Sequence, residues 1–137
     1  MRWQGWLVFV GLALLTDARV MVWSSDVTLW REVVQTSPNK PRGWVNYGKA
    51  LAVAGENDWA QAAYDRALVA SADPRRSARE RQIGRTTALL NLGLLLVNLG
   101  EADRARPLIQ EARRLSPTRT DVTRLCVQVG CSPPSVR

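Results

Sequence analysis

The feature that most constrains this chain is a pattern of residues that occurs twice, at an offset of 45 positions. Gly48 in the first copy corresponds to Gly93 in the second, and matching residues follow at equal distances. The matching pairs are Gly55 and Gly100, Asp58 and Asp103, Ala60 and Ala105, Tyr64 and Ile109, and Ala67 and Ala112. One such unit cannot bury its apolar face alone, so consecutive units must stack. The pattern therefore predicts a short array of stacked repeats.

Each copy has the residues expected of two helices joined by a tight turn. Gly55 and Gly100 suit the left-handed position that ends a helix. Asp58 and Asp103 suit the start of the next helix, as a cap or as a negative charge at the positive end of the helix dipole. Glycine and alanine recur where two helices would approach closely. The fold class predicted from these signals is all-α.

The pattern resembles the tetratricopeptide repeat, with Trp44 and Tyr47 before the first glycine and Pro117 at the end of the second copy. The resemblance implies a short α-solenoid whose groove is lined by the first helix of each repeat. The offset of 45 exceeds the usual repeat of 34 residues. The extra residues lie at 73–85, where Ser77 and Glu80 have the spacing of a capping box and predict a longer start to the next helix.

The remaining helices follow from flanking signals. Residues 24–38 read as a half repeat, and Thr118 and Asp121 mark the start of a C-terminal capping helix. Its apolar stripe consists of Val122, Leu125, Cys126 and Val129. The predicted helices are 26–36, 41–54, 58–71, 79–99, 103–115 and 119–129, and Pro107 should cost one of them a hydrogen bond or a kink. The predicted units are an anchor at 1–23, repeats at 24–117 (24–38, 41–74 and 86–117), and the capping helix and tail at 118–137.

The N-terminal segment predicts a transmembrane helix. Residues 3–23 are mostly apolar and would span about 31 Å as a helix, enough to cross a bilayer core. Trp3, Trp6 and Trp23 stand where interfacial aromatic residues lie. Asp17 and Arg19 interrupt the segment near one end, so a cleaved signal peptide and a buried soluble helix remain alternatives. Arg2 favours a cytoplasmic N-terminus, with the repeats on the periplasmic or outer face.

The first half of the chain also resembles the C-terminal end of large membrane glycosyltransferase-like proteins. In that family the last membrane helix leads directly into repeats on the outer or lumenal face. The resemblance covers about residues 10–74 and is carried by the apolar segment followed by Arg19, Trp23, Leu29-Trp30 and Ser37-Pro38. It implies the same topology but no activity, because the catalytic membrane portion has no counterpart here.

The composition argues against a catalytic or metal-binding function. The chain contains no histidine, which removes the commonest general base and metal ligand, and it has no phosphate-binding glycine loop. No catalytic residue, cofactor or metal site is predicted, and the protein is not expected to be an enzyme. Cys126 and Cys131 could form a disulfide in an oxidising compartment; otherwise Cys126 is a small core residue.

Two surfaces are candidates for binding. The nearly uniformly apolar run at 88–99 indicates either tight packing or a partner in the groove. By the resemblance, the groove residues would be Arg42, Val45, Lys49, Val53, Leu90, Leu94, Val97 and Asn98. The net charge of +7 arises after residue 74, and its densest part is a basic patch of Arg75, Arg76, Arg79, Arg81 and Arg85. That patch is either a solvated helix start or a site for an acidic protein or anionic lipid.

The core is expected to contain the aromatic residues Trp30, Trp44, Tyr47, Trp59 and Tyr64.

These observations predict a membrane-anchored scaffold for protein–protein interaction, an accessory subunit of a membrane assembly. Its partners would be other protein subunits, with membrane lipid around the N-terminal helix. One alternative is a detached repeat tail that assists a membrane glycosyltransferase. The other is a soluble basic repeat protein that binds nucleic acid, which is less favoured because no nucleic-acid motif accompanies the charge.

Overall fold

The computed structural model describes residues 26–131, and this part of the chain is helical without strands. Residues 26–36 form α1 as far as it is described. The following helices are α2 (Pro41–Val53), α3 (Asn57–Ser71), α4 (Ala78–Asn98), α5 (Ala102–Leu115) and α6 (Thr120–Gln128). The predicted anchor at 3–23 and the end of the tail lie outside the described residues. None of the described helices is both long and apolar enough to cross a bilayer.

Three helices are followed by a turn at a glycine with positive φ, and two of these turns reverse the chain into helical hairpins. Gly55, Gly100 and Gly130 have φ of 81°, 80° and 67°, which a residue without a Cβ adopts freely. After α2 the amide of Glu56 donates to the carbonyl of Leu51 at 2.9 Å, and after α4 Glu101 donates to Leu96 at 2.8 Å. These six-to-one bonds define the Schellman motif. The first two turns reverse the chain into the hairpins α2–α3 and α4–α5.

The start of α4 confirms the predicted capping box. The hydroxyl of Ser77 accepts from the Glu80 amide at 3.2 Å, and the Glu80 carboxylate accepts from the Ser77 amide at 2.9 Å. The additional residues at 73–85 therefore lengthen α4, as expected. Helix α5 continues through Pro107, while α6 begins at Thr120 after Arg119 as its N-cap. The helix thus begins one residue after the predicted 119, and the predicted cap at Thr118 is wrong because Arg119 holds the N-cap position.

Small residues let the helices of each hairpin pack closely. Ala60, Ala67, Ala105 and Ala112 are buried, as are Tyr64 and Ile109. The stripe of α6 is also confirmed, since Val122, Leu125, Cys126 and Val129 are buried. Most of the apolar run in α4 is covered by its neighbours: Ala88, Leu89, Leu92, Leu95 and Leu96 are all buried. Tight packing thus accounts for most of that run.

The stack has two distinct ends. Arg31 donates to the Tyr47 hydroxyl at 3.4 Å, and a Cβ at Gly43 would lie 3.4 Å from Val33, so α1 and α2 run antiparallel. We call the end with residues 54–56, 99–101 and 129–131 the turn end. The opposite end, with residues 37–40, 72–77 and 116–119, is the linker end. The first described residue, 26, therefore lies at the turn end.

Candidate partner-binding groove

A cleft of about 370 Å³ opens between α2, α4 and α6. The three helices present one face each to it, while α3 and α5 pack behind them. Its lining residues are Lys49 of α2, then Thr87, Leu90, Asn91 and Leu94 of α4, and Arg119, Asp121, Arg124, Leu125 and Gln128 at and after the start of α6. The cleft combines an apolar floor with amide and charged side chains.

The lining follows a regular spacing. Four residues of α4 (Thr87, Leu90, Asn91 and Leu94) each have a counterpart 34 residues later in α6 (Asp121, Arg124, Leu125 and Gln128). Lys49 stands 45 residues before Leu94, the same offset that relates Gly48 to Gly93. Equivalent positions of α2, α4 and α6 therefore meet in one groove. The predicted capping helix α6 therefore also contributes residues to the groove.

Arg119 connects α6 to the groove wall of α4. Its guanidinium donates to the Thr87 hydroxyl at 3.3 Å and forms an ion pair with Asp121 at 2.6 Å. The Arg119 hydrogen bond lowers the pKa of the Asp121 carboxyl, and the same bond raises the pKa of Arg119. Within α4, the side-chain amide of Asn91 donates to the Thr87 carbonyl at 2.7 Å. The polar rim is thus held in a fixed arrangement.

The groove has positive charge available for a ligand. Lys49 and Arg124 are exposed and take no part in the ion pairs among the described residues. Leu94, in the last third of α4, lines the same cleft and is 44% exposed. An apolar side chain flanked by carboxylates would cover Leu94 and approach both cations. The arrangement suits a segment of protein better than a small molecule.

The structure brings together only part of the predicted groove. Lys49, Leu90 and Leu94 line the cleft as expected. Arg42, Val53, Val97 and Asn98 do not line it. The prediction for Val45 is wrong, because this side chain is only 4% exposed and belongs to the core.

The groove residues that sequence reasoning missed are Thr87, Asn91, Arg119, Asp121, Arg124, Leu125 and Gln128. The 34-residue spacing of the repeat that the sequence resembles, applied to the predicted groove residues Leu90 and Leu94, leads to Arg124 and Gln128. The other five carry no such signal in the sequence.

The five arginines of the predicted basic patch do not present one open cationic surface. Arg75 pairs with Asp73 at 2.9 Å and Arg85 with Glu111 at 2.7 Å. Arg76 donates to the Asn39 carbonyl at 2.7 Å, and Arg81 donates to the Arg76 carbonyl at 2.8 Å. Arg79 is exposed at the start of α4. Most of these guanidinium groups donate hydrogen bonds to backbone carbonyls or pair with carboxylates around the long linker. Most of the patch therefore stabilises the local structure.

The aromatic residues divide into two groups. Tyr64 is buried, and Trp44 and Tyr47 pack against the core, with the Trp44 indole donating to the Pro38 carbonyl at 2.7 Å. Trp30 is half-buried. Trp59 is 68% exposed, so its expected core position is wrong. It follows Asp58 in the first turn of α3, on the side away from α2 and α4.

Cys126 and Cys131 form a disulfide, with their Cα atoms 5.0 Å apart. The amide of Cys131 also donates to the Cys126 carbonyl at 2.8 Å, the six-to-one bond of the third Schellman turn. The two positions joined by this bond often carry an apolar contact in such turns. Here a covalent bond replaces that contact and closes the turn that follows the groove residues of α6.

The described residues contain no cluster of side chains suited to hold a metal ion. A scan against protein-family models and a search of curated proteins both find no match to this sequence.

Proposed function

We propose that this protein is a membrane-anchored scaffold whose repeat domain holds an acidic segment of another subunit in the groove between α2, α4 and α6. The observation that carries the proposal is the groove itself. Its floor offers Leu94 to an apolar side chain, and its rim offers Lys49 and Arg124 to carboxylates. Side chains at equivalent positions of stacked repeats form extended surfaces that suit a peptide.

The proposed fold is a tetratricopeptide solenoid of a half repeat, two full repeats and the first helix of a third. The 34-residue spacing of the α4 and α6 groove residues supports this assignment, as do the two equivalent glycine turns. The proposed anchor is the segment at 3–23, with the repeats on the periplasmic or outer face. The proposal includes no catalytic step.

Site-directed photocrosslinking of the full chain in its native membranes tests this function. Benzoylphenylalanine replaces Leu94 in the groove, or Val69 on the far side of α3 as the control; both side chains are exposed. We expect one discrete adduct from position 94 and none of the same mass from position 69. The adduct should disappear when Lys49→Glu and Arg124→Glu are introduced together, because acidic segments would then be repelled.

A matched pair of charge reversals completes the experiment. Arg79→Glu with Arg114→Glu changes the net charge equally at exposed positions outside the groove, and should leave the adduct intact. Equal crosslinking from positions 94 and 69, or equal loss with both pairs, would contradict the groove. An adduct that contains a glycosyltransferase would select the alternative role as its detached repeat tail.

A further inference from the structure

Four of the eight large apolar side chains that are exposed among the described residues lie at the turn end of the domain, while Val69 and Ile83 lie toward the linker end. Val53 ends α2 and is 57% exposed, Trp59 lies in the first turn of α3, Leu99 follows α4, and Val127 in the last turn of α6 is 78% exposed. These four residues lie in or directly after four different helices, and the antiparallel arrangement brings them to one end. Soluble surfaces seldom expose a tryptophan with several aliphatic neighbours unless the surface is in contact with something.

The same end receives the chain from the N-terminus. Residue 26, at the turn end, follows Trp23 by three positions, and Trp23 is the last residue of the predicted anchor. Three residues reach at most about 11 Å when extended. A bilayer crossed by residues 3–23 would therefore lie beside the turn end, while the linker end would point away from it.

The charges favour an apolar contact over attraction to anionic lipid. At the turn end, Arg106 pairs with Asp103 at 3.1 Å and Arg104 pairs with Glu101, so these cations are already neutralised. Glu56 adds an exposed negative charge there. The excess cations lie instead toward the linker end, for example Lys40 and Arg79. Attraction to anionic headgroups alone would turn the domain the other way.

We propose that the turn end of the domain rests on the bilayer surface, with Val53, Trp59, Leu99 and Val127 inserted at the depth of the headgroups. This orientation rests on the proposed membrane anchor. Tryptophan prefers the membrane interface because its ring is apolar and its N–H needs a polar partner. The helices then stand on the membrane, and the groove between α2, α4 and α6 opens sideways, where it faces neighbouring subunits in the same bilayer.

Spin labelling in vesicles of pure phosphatidylcholine tests the orientation in the full chain. Val53→Cys places a nitroxide at the turn end, and Val69→Cys, in α3, places one toward the linker end as a matched control. The two native cysteines are bridged and do not take the label. We expect oxygen, which concentrates in lipid, to relax the label at 53 more than a water-soluble nickel complex does. At 69 the nickel complex should dominate.

Trp59 gives an independent measurement without any label. Lipids with brominated chains quench tryptophans at the interface. The amount of tryptophan emission that these lipids remove should become smaller when Trp59→Phe is introduced. Vesicle flotation separates the possible failures. A chain that does not float with the vesicles overturns both the anchor and the orientation. A chain that floats, with the labels at 53 and 69 equally open to nickel and no quenching of Trp59, keeps the anchor and overturns the orientation.

Discussion

The aromatic ring of Tyr64 lies so close to Gly48 that a Cβ added at residue 48 would come 2.5 Å from ring carbon Cε1. Ile109 has the same relationship to Gly93, where an added Cβ would come 2.7 Å from Cγ1. Each large side chain stands 16 residues after its glycine. A close helix–helix contact in each hairpin is therefore made by residues that the repeat pattern aligned.

The first prediction concerns this contact. Gly48→Ala should destabilise the domain by about 1–3 kcal/mol, because the new methyl group forces the helices apart. Gly43→Ala in the same helix is the control, since its Cβ would meet Val33 at 3.4 Å and Val34 at 3.6 Å, ordinary contact distances. It should be neutral or slightly stabilising, because alanine favours helix over glycine. Thermal unfolding in mild detergent, followed by circular dichroism, measures both. Equal melting temperatures would show that the contact is not a constraint.

Short-range sequence signals, such as caps, glycine turns and apolar spacing, predicted most of the fold. The predicted helices after residue 40 agree with α2–α6 to within one residue at every end. Gly55, Gly100 and the Ser77–Glu80 box succeeded because each acts within one turn of backbone. The buried stripe of α6 succeeded for a similar reason, since its spacing alone defines one helix face.

Predictions that depended on tertiary contact were less successful. Val45 was placed in the groove by its repeat position, but the packed hairpins bury it. Trp59 was placed in the core by its size, although its position in the first turn of α3 faces outward. Arg76 and Arg85 could not be distinguished from the other arginines at 75–85 by sequence, because their partners Asn39 and Glu111 lie far away in the chain. Neither backbone periodicity nor composition contains that information.

The second prediction concerns the long linker before α4. Ser77→Ala removes the side chain that accepts from the Glu80 amide, and should destabilise the domain by about 1 kcal/mol. Ser77→Thr is the control, because threonine keeps the hydroxyl that caps the helix and donates to the Glu80 carboxylate. Hydrogen exchange of the amides at 78–81 should quicken in the alanine variant and stay close to the parent rate in the threonine variant. Unchanged exchange in both would show that the cap does not hold this turn.

The third prediction concerns acid. Hydrogen bonds from Arg75 lower the pKa of Asp73 to about 2, and bonds from Ser77 lower the pKa of Glu80. A carboxyl with a lowered folded-state pKa stabilises the fold above its unfolded pKa and loses that contribution as the pH falls. The melting temperature should therefore be nearly constant from about pH 5 to 8, where the chain has no histidine to titrate. It should fall between about pH 4 and 2. Asp73→Asn should reduce that fall; an unchanged acid profile in this variant would contradict the role of Asp73.

The fourth prediction concerns the disulfide and the side of the membrane that the domain faces. Disulfides form in oxidising compartments, so a domain on the periplasmic or outer face should hold Cys126 and Cys131 bridged in cells. Cells quenched in acid and treated with a heavy maleimide should yield untagged protein, and the same sample should take two tags after reduction. Two tags without reduction would place the domain on the reducing side and contradict the proposed topology.

Cys131→Ser should lower the free energy of unfolding by about 2 kcal/mol, because the bridge restrains the unfolded chain. The loss should concentrate at the end of α6, where Arg106 donates to the Val129 carbonyl at 2.9 Å and the turn at Gly130 depends on the bond that the bridge reinforces.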